Sequence, residues 1–304
     1  MRCNLKRIGA AVALTMLVCF STAHAQDAFE DEKGDSSIFL KDGGGFAHVN
    51  VSDTSVKLGH IFERTDKNYF FGFEVTGKLS GDFASLFESH KPSPEAKFNA
   101  FIGRKFLFSK KPNDQPTKGP LTDDWLTFRM GYRRARYKLL DEGNTFANQV
   151  RKQSFDGFSA IVAYNAQFKS KRGPYIFGVT GGAERRNNVD DLDEVEVNDQ
   201  VFTSLSGTTQ RSVVAKQTAL TGTYKEMTAV PIRTDFVWFP AQFKSQIGLN
   251  FFTRSNVGQG DKNFEPGVGL FFSKEGAPTR VIGGISISLR DGKARVGLVA
   301  GYNF

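Results

Sequence analysis

The sequence lacks cysteine beyond its first residues, and this absence excludes several kinds of site. Both cysteines of the chain, Cys3 and Cys19, lie close to the N-terminus. We therefore expect no disulfide, no cysteine-ligated metal and no cysteine nucleophile in the rest of the chain. Tryptophan and methionine are scarce as well, with 2 and 4 residues. Beyond Phe20, no apolar run reaches the ~20 residues that a transmembrane helix needs.

The N-terminus has the three parts of a secretory signal peptide. Arg2, Lys6 and Arg7 form a positive region. The apolar stretch 8–20 follows, and residues 23–25 (Ala-His-Ala) provide a small-x-small cleavage site. We expect cleavage at this site, so that the mature chain is exported.

Two alternatives to a cleaved signal are less consistent with the sequence. A membrane anchor would need ~20 apolar residues, and this stretch has about 13. Acylation at Cys19, as in a lipoprotein, would need a small residue where Val18 stands.

Glycine and phenylalanine are abundant, with 31 and 30 residues. Scattered glycine disfavours helices, because it costs ~1 kcal/mol per helical position relative to alanine, whereas aromatic residues favour strands. The net charge is +8. Without the basic residues of the signal it is about +5, which is too small an excess to indicate a nucleic-acid partner.

Apolar and polar residues alternate along much of the chain, most clearly at the C-terminus. One face there carries Val296, Leu298, Ala300, Tyr302 and Phe304. The other face carries Arg295, Gly297, Val299, Gly301 and Asn303. A period of two predicts a strand with one face in apolar and the other in polar surroundings.

The same pattern predicts about twelve strands. Their expected ranges are 46–51, 54–63, 69–79, 97–108, 124–139, 155–169, 174–186, 224–238, 246–256, 265–273, 279–290 and 293–304. Most are near the ~9–11 residues that cross a bilayer when tilted. The expected fold is therefore all-β: an antiparallel transmembrane β-barrel that follows the signal peptide, since strands span a membrane only in closed barrels.

Two features favour a membrane barrel over a soluble β-protein. Aromatic residues recur at strand ends, as at Tyr69, Tyr175 and Trp238, which is typical of interfacial girdles. The polar faces carry Gly, Ser, Asn and charges, which suit a wet lumen better than a globular core. If both termini lie in the periplasm, the links between strands are mostly short on the periplasmic side and mostly long on the outer side, as in such barrels. The link 257–264 is then an outer one, and 187–223 is the longest outer link.

These boundaries divide the chain into three parts. They are a signal peptide at 1–25, an N-terminal periplasmic segment at 26–45 and the barrel at 46–304.

The C-terminus also resembles a known class of protein. The chain ends on Phe304, with Tyr302, Leu298 and Val296 on the same face. This arrangement resembles the terminal assembly signal of Gram-negative outer-membrane barrels, which the barrel-assembly machinery reads. The resemblance is to the class and covers the whole mature chain. It implies a place in the outer membrane, with the bilayer and that machinery as partners.

The predicted lumen face contains the candidate functional residues. The charged ones are Lys57, Glu74, Lys78, Arg129, Arg133, Glu184, Arg233, Asp235, Arg254, Arg290 and Arg295. Most are basic, and charged rings that face water bias ion passage, so an open lumen would favour anions. The alternative is a narrow barrel filled by its own side chains, with acids and arginines paired.

Two other features could carry chemistry. His60 lies on the predicted lipid face, where a hydrolase would need Ser52 or Ser55 within hydrogen-bond reach of it. No spacing identifies either serine as the partner of His60. A histidine at the membrane interface, with its polar edge among the headgroups, would explain the same position without catalysis. The acidic run 190–199 could hold a cation through its carboxylates, but it lacks the spacing of a known calcium loop, and we expect it to be a solvated outer loop. No motif for a cofactor or a metal is present.

Three functional hypotheses remain open. The leading one is a non-enzymatic, porin-like outer-membrane barrel for transport, a small-solute or anion-leaning channel. The second is an outer-membrane lipid or peptide hydrolase. The third is a structural or surface-contact barrel that acts through its 187–223 loop.

We predict that Phe304 is needed for assembly, because it ends the apolar face that the machinery would read. Deletion of Phe304 should leave the protein unfolded or degraded in the periplasm. Heat-modifiable migration of the outer-membrane fraction on gels measures this. Normal levels of folded barrel after the deletion would contradict the prediction.

Overall fold

The computed structural model of the protein describes most of the chain beyond residue 42. The described residues are 29, 36–39, 43–52, 54–64, 67–78, 95–106, 121–144, 146–204, 210–244, 246–258, 261–274, 277–290 and 292–303. The predicted signal peptide, most of the 26–45 segment and Phe304 lie outside them.

Within the described residues the chain forms fourteen β-strands. They are β1 (Gly44–Asn50), β2 (Ser55–Arg64), β3 (Tyr69–Lys78), β4 (Glu95–Phe106), β5 (Leu121–Leu140), β6 (Val150–Phe168), β7 (Tyr175–Asn187), β8 (Asp193–Ser204), β9 (Gln210–Thr221), β10 (Glu226–Trp238), β11 (Ile247–Gly258), β12 (Asp261–Lys274), β13 (Ala277–Arg290) and β14 (Lys293–Asn303). A single helical turn at Phe146–Gln149 precedes β6. No helix in this part of the chain is long and apolar enough to cross a membrane.

Twelve of these strands form a closed antiparallel ring. β1 to β7 pair in chain order, β7 pairs with β10, and β10 to β14 again pair in order. β14 then pairs with β1, from Phe46–Asn303 to Asn50–Val299, and this pairing closes the ring. The predicted barrel of about twelve strands is confirmed. The end where β1 begins and β14 ends is called the periplasmic end below, after the expected orientation.

The outward faces of the ring strands are apolar and exposed. They include Leu58, Phe73, Ile102, Met130, Phe158, Phe251, Ile287 and Leu298. Alternate residues point inward and are buried, among them Lys57, Glu74, Asn99, Arg129, Asn250 and Ser286. A slip of one residue would exchange the two faces of a strand, so the predicted register is correct for these strands. Exposed apolar side chains around a closed strand ring are the lipid-facing surface of an outer-membrane β-barrel.

Phenylalanine and glycine meet across neighbouring strands inside the barrel. Five inward phenylalanines each lie directly opposite an inward glycine: Phe46 and Gly59, Phe101 and Gly72, Phe70 and Gly103, Phe252 and Gly267, Phe271 and Gly284. A Cβ on these glycines would lie 2.0 to 2.4 Å from the facing ring. Each phenylalanine ring therefore occupies space that any side chain larger than glycine's hydrogen would fill. This packing explains part of the abundance of both residue types in the sequence.

Two parts of the predicted map are wrong. The 187–223 segment, expected to be an open outer loop, contains the β8–β9 hairpin, which meets β5 at the Leu139–Leu220 bridge. The outer link expected at 257–264 is much shorter, because β11 and β12 pair as far as Gly258–Asp261. In both segments the backbone pairs as strands although the side chains are largely polar, so the apolar alternation that predicts a strand is weak there.

We predict that charge is tolerated on one face of β14 and not on the other. Leu298 is exposed on the outer face, so Leu298→Arg puts a cation in the lipid at a cost of about 2–4 kcal/mol. Gly297 is buried on the inner face, so Gly297→Ser should be mild. Urea unfolding of the two purified variants in lipid vesicles measures the difference. Equal destabilisation by both would contradict the assigned faces.

Candidate functional site in the barrel lumen

The N-terminal segment enters the barrel near its periplasmic end. Ile38 and Ser37 are fully buried, and Ser36 and Phe39 are nearly so. The structure places the described residues of the 26–45 segment against the lumen wall. Burial of apolar side chains such as Ile38 is worth about 1.5–3 kcal/mol each, a gain that a segment in water would lose.

Asp235 on β10 is the central contact of this segment. Its Oδ2 accepts hydrogen bonds from the Ser37 backbone N–H at 2.7 Å and from the Ser37 hydroxyl at 2.6 Å. Its Oδ1 accepts from Asn250 Nδ2 at 2.8 Å and from Arg254 Nη2 at 3.0 Å. One carboxylate, with 0% of its residue exposed, therefore links the segment to the walls formed by β10 and β11.

Asn165 on β6 binds the backbone of the same segment in both directions. Its Oδ1 accepts from the Phe39 N–H at 3.0 Å, and its Nδ2 donates to the Ser37 carbonyl at 2.7 Å. Trp125 Nε1 donates to the Phe39 carbonyl at 2.6 Å. These contacts satisfy backbone groups that would otherwise be buried without partners, as a sheet neighbour would.

Below and around the segment lies an apolar cluster. It contains Phe29, Ile38, Phe46, Ile61, Phe70, Phe101, Trp125, Ile176, Val237, Phe239 and Phe271. Phe29 packs edge-on against Phe239 and Phe271, with ring centroids 6.0 and 5.2 Å apart. We call residues 29 and 36–39 together the plug. The other members of the cluster surround Phe29 and Ile38 of the plug with apolar side chains from most of the ring.

Further along the lumen, the predicted arginines are paired with acids. The pairs are Arg129–Glu74 (3.3 Å), Arg133–Glu95 (2.6 Å), Arg233–Glu184 (3.7 Å), Arg254–Asp235 (3.0 Å) and Arg290–Asp191 (3.7 Å). Lys57 is buried, and Lys78 and Arg295 are half-buried. The predicted lumen residues thus come together in one interior, where ion pairs offset much of their charge.

Arg129 connects this charged zone to the plug. Its guanidinium pairs with Glu74 and also lies over the Phe39 ring, with Cζ 3.9 Å from the centroid. Asn99 Nδ2 donates a hydrogen bond to the same Glu74 carboxylate. A cation held over an aromatic face gains ~0.5–2 kcal/mol, more when desolvated.

The 188–225 segment packs on the opposite, outer end of the barrel. A small apolar cluster forms there from Ala135, Tyr137, Leu139, Phe155 and Leu220, with Val189, Leu192 and Tyr224 against it. Burial, followed by the hydrogen bond to Glu226, raises the pKa of Tyr224, which keeps its hydroxyl protonated as a donor. Asp191 from the predicted acidic loop reaches buried Arg290.

The two other predicted features are the Ser–His pair around His60 and the cation site in the acidic run 190–199. His60 packs on the outer face against Phe62, with ring centroids 4.4 Å apart. Ser55 is the first residue of β2 and lies five residues from His60, about 16 Å along an extended strand. The Ser52 hydroxyl accepts a hydrogen bond from the Leu298 N–H. The described part of the acidic run belongs to no group of three or more potential metal ligands among the described residues. Neither arrangement supports a Ser–His pair or a metal centre.

Sequence reasoning missed Ser37, Trp125 and Glu95 as parts of the lumen. It predicted a polar face for Asn165 but did not single that residue out. One signal was available: large apolar residues such as Phe70 and Phe101 interrupt the face assigned to the wet lumen. Inward aromatics near the periplasmic ends of several strands imply something apolar between them.

Comparison with known proteins gives no family for this chain. No family model matches it, and no curated protein gives a significant match. Among solved structures, the β domain of the Bordetella autotransporter BrkA is similar to it with a TM-score of 0.43 and 9% sequence identity, covering 86% of this chain and 98% of its own.

Proposed function

We propose that this chain is an outer-membrane channel for small solutes that is shut by its own N-terminal plug and conducts when the plug leaves the lumen. The observation that carries the proposal is the position of Ser36–Phe39 inside the ring, held by Asp235, Asn165 and Trp125. This segment is not a strand of the wall.

The barrel can lose the plug without losing its closure. The ring is completed by β1 and β14, whose pairing begins at Phe46, after the plug in the chain. The plug is bound by side chains of the wall, and these can exchange hydrogen bonds with water when it leaves. A barrel of about twelve strands is wider than the eight-stranded barrels that side chains alone fill. Departure of the plug would therefore leave an open passage through the lumen.

Gly178 offers a direct way to displace the plug. A Cβ at Gly178 would lie 2.8 Å from Ile38 Cγ1 and 2.8 Å from the Ser37 carbonyl oxygen. Gly181, on the same strand, has no atom within 4 Å of its Cβ position. The two glycines therefore provide a test and a matched control for the same substitution.

We predict that Gly178→Val raises conductance while Gly181→Val does not. In planar bilayers, the wild type should be mostly closed with brief openings. Gly178→Val, and a chain without residues 26–42, should both be open for several-fold more of the recording time. If both altered chains fold and neither conducts more than the wild type, the plug is not the gate. A wild type that is permanently open would also contradict the proposal.

The paired arginines determine the expected selectivity. Each arginine removed leaves its partner carboxylate unneutralised in the lumen, so the net charge there becomes one unit more negative for each substitution. In the chain without residues 26–42, we predict that Arg129→Gln with Arg133→Gln moves the reversal potential in a salt gradient toward cations. The matched pair Glu74→Gln with Glu95→Gln should move it toward anions. Both shifts should shrink in high salt, where the Debye length is ~3 Å at 1 M. Identical reversal potentials in all three chains would contradict the assigned role of these residues.

A second candidate function rests on the β8–β9 hairpin. It extends from the outer end of the barrel, and Asp193, Glu194 and Glu196 on β8 are exposed. A surface-contact barrel would use this acidic edge to meet a basic partner. Normal conductance behaviour after removal of 193–221 would separate that role from the channel.

A further inference from the structure

β5 and β6 rise beyond their neighbours at the outer end of the barrel. They are 20 and 19 residues long and pair up to Leu140–Val150. β4 ends on one side at the Glu95–Ala135 pair, and the pairing of β6 with β7 ends at Ser159–Glu184. The last rows of β5 and β6 therefore project above one sector of the ring, where β9 meets β5 at the Leu139–Leu220 bridge.

The outward face of this projection changes from aromatic to basic in adjacent rows. Tyr132 and Phe158 face each other with ring centroids 5.2 Å apart, above exposed Met130. The rows that follow are Arg134–Asp156, Arg136–Ser154 and Lys138–Lys152. We call the residues of these three rows the basic patch.

The one acid in the patch is already engaged. Asp156 accepts a hydrogen bond from the Tyr132 hydroxyl and lies 3.9 Å from Arg134 Nε. The two rows above it contain only cations and a serine, and both Arg136 and Lys152 are exposed. Like charges directly opposite each other destabilise a strand pair, so an anion bound at exposed Lys152 would reduce the repulsion across the Lys138–Lys152 row. The acids of the turn, Asp141 and Glu142, lie beyond the next apolar row.

We propose that the basic patch binds the phosphate groups of a phosphorylated glycolipid in the outer leaflet. The aromatic row marks the level where acyl chains give way to headgroups, and the patch begins one row above it. The acyl chains would lie along Met130 and Phe158, and the phosphates would reach Arg136 and Lys152. Arginine supplies a planar fork that matches phosphate oxygens, and lysine a mobile point charge.

This inference concerns the outside of the barrel and is independent of the proposed channel. Outward positions near the outer ends of β3, β11 and β13 stay apolar, at Val75, Val257 and Leu289. Arg185, near the outer end of β7, is exposed but already paired with Glu226 at 2.5 Å. The patch is therefore confined to one sector of the barrel. We expect one or a few lipid molecules to bind per barrel, rather than a complete ring of bound lipids around it.

The experiment compares lipid retention by the folded full-length barrel in a non-ionic detergent. Native mass spectrometry would be recorded with bisphosphorylated lipid A and with the same lipid after removal of both phosphates. The wild type should retain the phosphorylated form preferentially. Arg136→Gln with Lys152→Gln should weaken that binding on the order of thirtyfold, as expected for two cations that each contribute ~1 kcal/mol near an anionic surface. Arg136→Lys with Lys152→Arg should retain it.

The control removes the same charge at the opposite rim. Lys169 and Lys171 are exposed in the turn between β6 and β7, and Lys169→Gln with Lys171→Gln should leave lipid binding unchanged. Equal loss in both double variants would overturn the proposal, as would equal retention of the dephosphorylated lipid. Displacement of the lipid by an equal concentration of inorganic phosphate would identify a free-anion site and would overturn it as well. Heat-modifiable migration checks that each variant is folded.

Discussion

The pairing of β1 with β14 is the constraint on which the rest of the structure depends. In lipid, every backbone N–H and C=O must find a partner within the protein, and an open sheet edge has none. Closing the ring at Phe46–Asn303 through Asn50–Val299 removes that edge. Once the ring is closed, the surroundings of each strand residue are fixed by its position: alternate residues face lipid, and the residues between them face an enclosed interior.

That interior must then be filled, and the protein fills it at three levels. At the periplasmic end, the plug and the inward aromatics form an apolar packing around Ile38. Further in, Asp235, Arg254 and Asn250 form a buried polar network that includes Ser37. Near the outer end, Arg290 meets Asp191 of the folded-back segment. Buried charges are tolerated where they are paired and hydrogen-bonded, and this explains why so many arginines in one lumen each lie beside an acid.

Much of the wall could be predicted from the sequence, because alternation is a local property. The apolar set on β14, with Val296 and Leu298, is exposed as predicted, and Gly297 is buried opposite to it. The β8–β9 hairpin was missed although Val195 and Val197 alternate with acids there. Its pattern is too weakly apolar to indicate a strand, since backbone hydrogen bonds outside the membrane can form with polar side chains on both faces. The basic patch was present in the sequence as charges on β5 and β6, but only the pairing register brings Arg136, Lys138 and Lys152 to one face.

The sequence by itself determined the fold class and the faces of the ring strands, because both follow from a period of two and the chemistry of single residues. The tertiary structure decided the rest: that each of the five lumen arginines considered above meets a carboxylate from another element, that Gly178 leaves room for Ile38, and that Ser37 reaches Asp235 across 198 positions of the chain. Such contacts join residues far apart in sequence. Which of them form depends on the closure and width of the ring, which no local pattern encodes.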